Sequence, residues 1–331
     1  MSYDSILFKI IKNRWKNSQI ISKKVIPKGF NFPIFEVKLK NPNREVIIKI
    51  IEDKAFEKRG YLEKNVIKRI LEEYPNFPVP KIIKFDDSKE LIKYSYIIED
   101  KIQGKDFTEI DVSKIKNKKD FVISFARYAG QMNSITFDNF GYFDEKLKVN
   151  PISWYDLIME ELSRYIGRIE DNNYLDKTTL QNAKNYIEKN KELMNIRNKP
   201  RFIHNDYHGS NIKVTLIGGQ CKITGIFDFE ICMSGDPIRE VYKSEWALNK
   251  FPKFRKYFYS EYSKYVRLPK NYKKRLEFYK LLGRLKHIQD RKKFETSSKG
   301  KKIIKEGIKI IKKIVNQLSG STHTKSKYIN S

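Results

Sequence analysis

The 331-residue chain carries 68 lysines and arginines against 40 aspartates and glutamates, a formal charge of +28, and 40% of it is hydrophobic. That apolar content suffices for one large core or two ordinary ones and excludes a disordered chain, while the lack of any run of 18 apolar residues excludes a transmembrane helix. The charge is uneven, since residues 247–331 hold 25 basic and 5 acidic side chains.

The first 20 residues, with charges among their apolar positions and no small-residue cleavage site, predict a short amphipathic helix rather than a secretory signal. From Ile26 to Ile51 the pattern becomes β, two extended runs around Asn41-Pro42-Asn43 that read as an antiparallel hairpin. Residues 54–73 have helical spacing and stop before Tyr74-Pro75. Two more strands follow, within KIIKFDD and LIKYSYIIED. Beyond Gly104 the pattern is mainly helical, with helices expected over 117–135, 153–170, 174–195, 237–250, 252–265, 270–290 and 301–318. The exception is 201–232, which reads as a loop followed by a short hairpin around Gly218-Gly219. Residues 319–331 lack periodicity and are expected to be disordered. The expected organisation is α+β: residues 1–103 as a small sheet domain, 104–318 as a helical domain.

Cys221 and Cys232 have no metal-ligand spacing with the four histidines and read as reduced thiols of a cytoplasmic protein. The basic residues near the C-terminus interleave with apolar ones at helical spacing. They read as a solvated helix face, with nucleic acid or another polyanion as the alternative partner.

The segment Phe202–Glu230 carries the chemistry. FIHNDYHGSN sets His204, Asp206 and Asn211 in an H-x-D-x-x-x-x-N array, and GIFDFE places Asp228 in an apolar run 17 residues after Asn211. Phosphoryl transfer uses these side-chain types: one carboxylate for the acceptor hydroxyl, and an amide oxygen with a second carboxylate for magnesium. Asp228, flanked by Ile226, Phe227 and Phe229, needs a partner to offset its desolvation, and a metal supplies one. His204 reads as support under the loop, and His208 as a residue facing substrate or phosphate.

These motifs, with Gly235-Asp236-Pro237 behind them, resemble the aminoglycoside phosphotransferase family of small-molecule kinases, which is similar to choline kinases and, more remotely, to protein kinases. The resemblance implies a bilobal protein-kinase-like fold, with a small antiparallel sheet and one main helix in the N-lobe and a larger helical C-lobe. It implies ATP or GTP as co-substrate and Mg2+ as cofactor. Asp206 would then be the catalytic residue, and Asn211 and Asp228 the metal ligands. Lys49 in EVIIKI would contact the α- and β-phosphates and pair with Glu63 on the next helix. The adenine would lie against residues 98–104, on backbone groups of Asp100 and Ile102. The phosphate-covering turn departs from the family pattern: between Pro27 and Pro33 only Gly29 matches, with Lys28 a further phosphate contact.

The expected acceptor is a small hydroxylated molecule, an aminoglycoside antibiotic or related amine first and a choline- or ethanolamine-type metabolite second. Asp228, Glu230, Asp236, Glu240 and Glu245 would supply the acidity that suits a cation, and Trp154 and Trp246 aromatic faces for a sugar or ammonium. A different class of function is an inactive kinase-like module that binds nucleic acid through its basic helices.

Overall fold

The structure is a computed structural model that describes residues 2–26 and 33–320. Gly29 and Lys28, the tail from 321 onward and the side chain of Trp246 lie outside the described residues. Helix α1 (Tyr3–Arg14) is capped by Ser2, whose hydroxyl accepts from the Ser5 amide. Strands β1 (Gln19–Val25), β2 (Ile34–Lys40) and β3 (Arg44–Ile51) follow, then helix α2 (Lys54–Glu73) and strands β4 (Ile82–Asp86) and β5 (Ser95–Asp100). The five strands form one antiparallel sheet in the order β1-β2-β3-β5-β4.

The helix expected over residues 1–20 is shorter, and the chain turns into a strand at Gln19. That strand lies at the sheet edge and is exposed along nearly its whole length, so it lacks the alternation that marks a half-buried strand. In β3 the alternation decides what faces where. Val46, Ile48 and Ile50 pack with Ile6, Leu7, Ile10 and Ile11 of α1, whereas Ile51 packs with Ile97 and Phe56 on the opposite face. Lys49, two residues from Ile51, shares that second face.

The C-lobe contains β6 (Lys105–Asp106), α3 (Lys118–Ser134), β7 (Gly141–Tyr142), α4 (Trp154–Asp171), α5 (Lys177–Asn190) and β8 (Arg201–Ile203). It continues through β9 (Ile212–Ile217), β10 (Gln220–Ile226), β11 (Met233–Gly235), α6 (Pro237–Leu248), α7 (Arg255–Tyr262), α8 (Tyr272–Gln289), α9 (Arg291–Phe294) and α10 (Ser298–Gly320). The turn between β9 and β10 uses Gly218 and Gly219 at φ of 59° and 89°, left-handed conformations that glycine adopts without steric cost. Two three-stranded sheets, β10-β9-β6 and β7-β11-β8, hold the segment 201–235 in the middle of the helices.

Helix α10 buries Ile304, Ile311, Ile314 and Val315 in the C-lobe core and exposes Lys301, Lys305, Lys309 and Lys312. Much of the basic charge is therefore the solvated face of an amphipathic helix. Trp154 is buried, and its indole N–H donates to the Tyr279 hydroxyl at 2.7 Å. It is a core residue, which removes it as an aromatic face for a ligand.

Candidate active site

Lys49 is nearly buried and its ammonium donates to both oxygens of Glu63, at 3.0 and 2.8 Å. A second carboxylate, Glu99 at the end of β5, stands 3.3 Å away. Burial alone would lower the Lys49 pKa, but Glu63 and Glu99 outweigh it and hold the ammonium charged. Glu99 is pushed up to about 7 by burial, with the Glu63 charge adding to the rise and Lys49 opposing it. Sequence reasoning missed Glu99. Its signal was an acid inside the apolar strand SYIIED, on the same face as Lys49 because Lys49 pairs with Ile97 across the sheet.

Asp100 and Ile102 begin the connection between the lobes. The Asp100 carboxylate is held by Arg44 at 2.6 and 2.9 Å, and its amide donates to the Lys81 carbonyl at 2.9 Å. Ile102 packs its side chain over Gly225, and its backbone groups make no hydrogen bond among the described residues.

The loop after β8 is clamped from several directions. Asn205 adopts φ of 64°; its amide donates to Glu240 at 2.8 Å, and its side-chain oxygen accepts from Arg239 at 2.9 Å. Arg239 is fixed in turn by a buried bidentate pair with Glu161, both contacts 3.1 Å, and Tyr142 also donates to Glu161. His204 is fully buried and bonds through Nε2 to the Phe227 carbonyl at 3.0 Å. Burial lowers its pKa, so the ring is neutral and Nε2–H is the donor.

The clamp presents Asp206, whose two oxygens meet different neighbours. Oδ2 receives the Asn211 amide at 2.9 Å and lies 3.1 Å from His208 Nε2. Oδ1 faces Lys243 of α6 at 3.4 Å. Burial would raise the Asp206 pKa, but the His208 contact and the Lys243 charge hold it well below the usual carboxylate range.

Asp228 sits at φ of 72°, an uncommon backbone for a non-glycine residue. Its carboxylate makes no hydrogen bond or ion pair among the described residues. Burial, together with the charges of Glu63 and Asp206, pushes its pKa up to about 6, against the pull of Lys49 and His208. Asn211 spends its amide N–H on Asp206, which leaves its side-chain oxygen as an acceptor. Among the described residues no three His, Cys, Asp or Glu side chains form a ready-made metal cluster. The hard-oxygen pair Asn211 and Asp228 suits Mg2+, which takes one or two protein ligands and completes its shell with phosphate and water.

Four of the five acids expected to line an acceptor pocket are engaged elsewhere. Glu230 pairs with Arg59 at 3.3 Å. Asp236 caps α6 and accepts from Tyr279 at 2.7 Å. Glu240 holds Asn205, and Glu245 accepts from Tyr259 at 2.7 Å and pairs with Arg255 at 2.9 Å. The cations that approach Asp206 from the helical side are lysines, with His287 of α8, held neutral by burial, also within reach of its charge. Besides Lys243, Lys286 of α8 is near enough for Asp206 to act on its charge, and burial with the Lys243 and Arg239 charges lowers its pKa to about 8.

Three comparisons place this geometry. A family model described as the phosphotransferase enzyme family, APH, matches residues 23–270. No curated protein sequence matches the chain. Among solved structures, the chain is similar to the aminoglycoside phosphotransferase APH(4)-Ia, at 15% identity and a TM-score of 0.68, with 95% of this chain and 98% of that one covered. It is also similar to APH(2")-IIIa solved with GDP and kanamycin, at 13% identity and a TM-score of 0.62, covering 94% and 99%. A candidate fructosamine-3-kinase from Thermobifida fusca YX-ER1 aligns at 12% identity and a TM-score of 0.63, again covering 94% and 99%. These likenesses show the bilobal kinase-like fold, and with the family match over three quarters of its length the chain belongs to the APH phosphotransferase family of small-molecule kinases.

Proposed function

We propose that the protein transfers the γ-phosphoryl group of a nucleoside triphosphate, ATP or GTP, to a hydroxyl group of a small acceptor, with Asp206 as the catalytic carboxylate. The observation that carries this reading is the placement of Asp228. A carboxylate without a protein partner lies within electrostatic reach of Lys49, Glu63, Asp206 and His208, where a cation and the phosphates it binds would balance it. Asn211 and Asp228 would hold Mg2+, which would supply charge neutralisation at the phosphate oxygens. Lys49, fixed by Glu63 and Glu99, provides the ammonium for the non-transferred phosphates. The nucleobase lies beyond the end of β5, where the Ile102 backbone groups are free to bond it. Structural neighbours solved with ADP and hygromycin B, or with GDP and kanamycin, support a nucleotide and a hydroxylated acceptor together.

In the reaction the acceptor oxygen forms a bond to the γ-phosphorus. The bond from that phosphorus to the β,γ-bridging oxygen breaks, and the nucleoside diphosphate leaves with the electron pair. Asp206 orients the hydroxyl and accepts its proton late, when the oxygen has become acidic by bonding to phosphorus; a carboxylate held ionised by Lys243 and His208 suits an orienting role.

The test is phosphate incorporation from labelled Mg-ATP and Mg-GTP. Asp206→Ala should abolish transfer and keep nucleotide binding, whereas Asp228→Asn should lose the magnesium dependence of that binding. Wild-type protein that binds neither nucleotide in the presence of magnesium would sink the reading.

A further inference from the structure

The surroundings of Asp206 Oδ1 are basic on the side away from the metal pair. Asn211 and His208 both approach Oδ2, whereas the partner of Oδ1 is the Lys243 ammonium at 3.4 Å. That side is built by α6 and α8, which pack along each other so closely that a Cβ on Gly283 would lie against the Tyr242 hydroxyl. The next residue of α6 is Lys243, and Lys286 stands one turn beyond Gly283 on α8. The Lys286 ammonium makes no ion pair and no hydrogen bond among the described residues. It is largely screened from solvent with two other cations nearby, an arrangement that leaves uncompensated positive charge in a partly desolvated wall. Of the nearby acids, Glu161 is committed to Arg239 at 3.1 Å, and Glu240 and Asp236 to the loop and the helix cap.

A polycationic acceptor meets repulsion here. We propose that the acceptor is a hydroxylated small molecule that carries an anionic group, a carboxylate or a phosphate monoester, and that Lys243 and Lys286 receive this group while the hydroxyl faces Asp206. The proposal rests on the phosphoryl-transfer reading and replaces the amine expected from the sequence. Its physical content is complementarity: two ammonium groups in a partly buried wall gain from one anion and lose from another cation. The chemistry is the transfer already written, from the same nucleotide, with the anionic group unchanged.

The experiment measures labelled phosphate incorporation from Mg-ATP and Mg-GTP into matched acceptors. The carboxylate arm uses glycerate and gluconate, the phosphate arm glycerol 3-phosphate and glucose 6-phosphate, the neutral arm glycerol and glucose, and the cationic arm ethanolamine, glucosamine and kanamycin. Turnover is expected in one anionic arm, with kcat/KM at least tenfold above its neutral and cationic counterparts, and the responding arm identifies the anion. Lys286→Met should raise the KM of that acceptor about tenfold, Lys286→Arg should restore most of it, and nucleotide affinity should stay within twofold. A urea midpoint for each variant separates these effects from misfolding.

The proposal is overturned if the amines or neutral acceptors are preferred, if Lys286→Met leaves the acceptor KM unchanged, or if it raises the nucleotide KM instead. Protein that binds Mg-nucleotide but phosphorylates no arm also counts against it. Protein that binds no nucleotide overturns the phosphoryl-transfer reading itself, a failure distinguishable from the others.

Discussion

His204 Nε2 bonds to the Phe227 carbonyl at 3.0 Å, so the residue that opens the catalytic-loop motif holds the residue that precedes Asp228. A single imidazole thereby fixes the distance between the proposed acceptor-orienting carboxylate and the proposed metal ligand. His204→Ala removes a buried hydrogen bond and leaves a cavity, together costing about 2–4 kcal/mol. We expect kcat to fall at least tenfold while the acceptor KM changes little, and the urea midpoint to drop. Steady-state kinetics on refolded protein check both, and an unchanged kcat would deny His204 its positioning role.

Lys49 serves two buried carboxylates at once. Lys49→Met should destabilise the protein by about 3–5 kcal/mol, because it strands Glu63 and Glu99 without a counter-ion. The sign of the pH dependence follows from Glu99, whose folded pKa is raised to about 7 even with Lys49 present. Its ionised form is therefore disfavoured in the folded state, and the penalty vanishes as the group protonates. The stability deficit of Lys49→Met should shrink between pH 8 and pH 5, and adding Glu99→Gln should recover part of it at pH 8 without restoring transfer. Urea titrations at the two pH values decide the matter.

Asp228, buried without a counter-ion, is expected to oppose folding. Its pKa is raised to about 6 in the folded protein, so the destabilisation is full above pH 6 and fades as pH falls toward the ordinary carboxylate value. Discounted for partial exposure, the shift corresponds to about 2 kcal/mol. In EDTA, Asp228→Asn should melt a few degrees higher than wild type at pH 7.5 and no higher at pH 4. Adding magnesium to saturating nucleotide should stabilise the wild type further and leave the variant unchanged. A variant no more stable than wild type at pH 7.5 would argue against the burial described here.

Arg239 links Glu161 of α4 to Asn205 in the catalytic loop through three hydrogen bonds of 2.9–3.1 Å. Lysine cannot reproduce that fork. Arg239→Lys should cost about 2–4 kcal/mol, since buried acceptors on both partners lose their donors, and it should lower kcat by releasing Asn205 from its positive-φ conformation. Differential scanning calorimetry and kinetics test both parts, and equal kcat for variant and wild type would confine Arg239 to stability.

Where the sequence could be read, local patterning was the reason. The helical spacing of residues 54–73 matches α2, whose bounds are Lys54–Glu73, and the β-turn-β run around Asn41 matches the antiparallel pairing of β2 with β3. The edge strand β1 escaped because exposed strands need no alternation. The acids of 225–246 looked like a cationic pocket because their partners are remote in sequence: Arg59 for Glu230, and Arg275 and Tyr279 for Asp236. Lys243 and Lys286 were hidden for the opposite reason. Two lysines among 68 basic residues carry no signal until the packing of α6 on α8 brings Lys243 to Asp206 and Lys286 within reach of both their charges.

The family match ends at residue 270, and α8 begins at Tyr272. The proposed wall is thus divided at that limit: Lys286 lies in a stretch that the shared pattern does not describe, while Lys243, Lys49, Asp206, Asn211 and Asp228 all lie inside the matched stretch. Lys286 is therefore the part of the proposed acceptor wall that can be exchanged without touching the matched stretch. Grafting a different helix in place of Tyr272–Gln289 offers a route to re-address the enzyme to new acceptors while its nucleotide cleft stays intact.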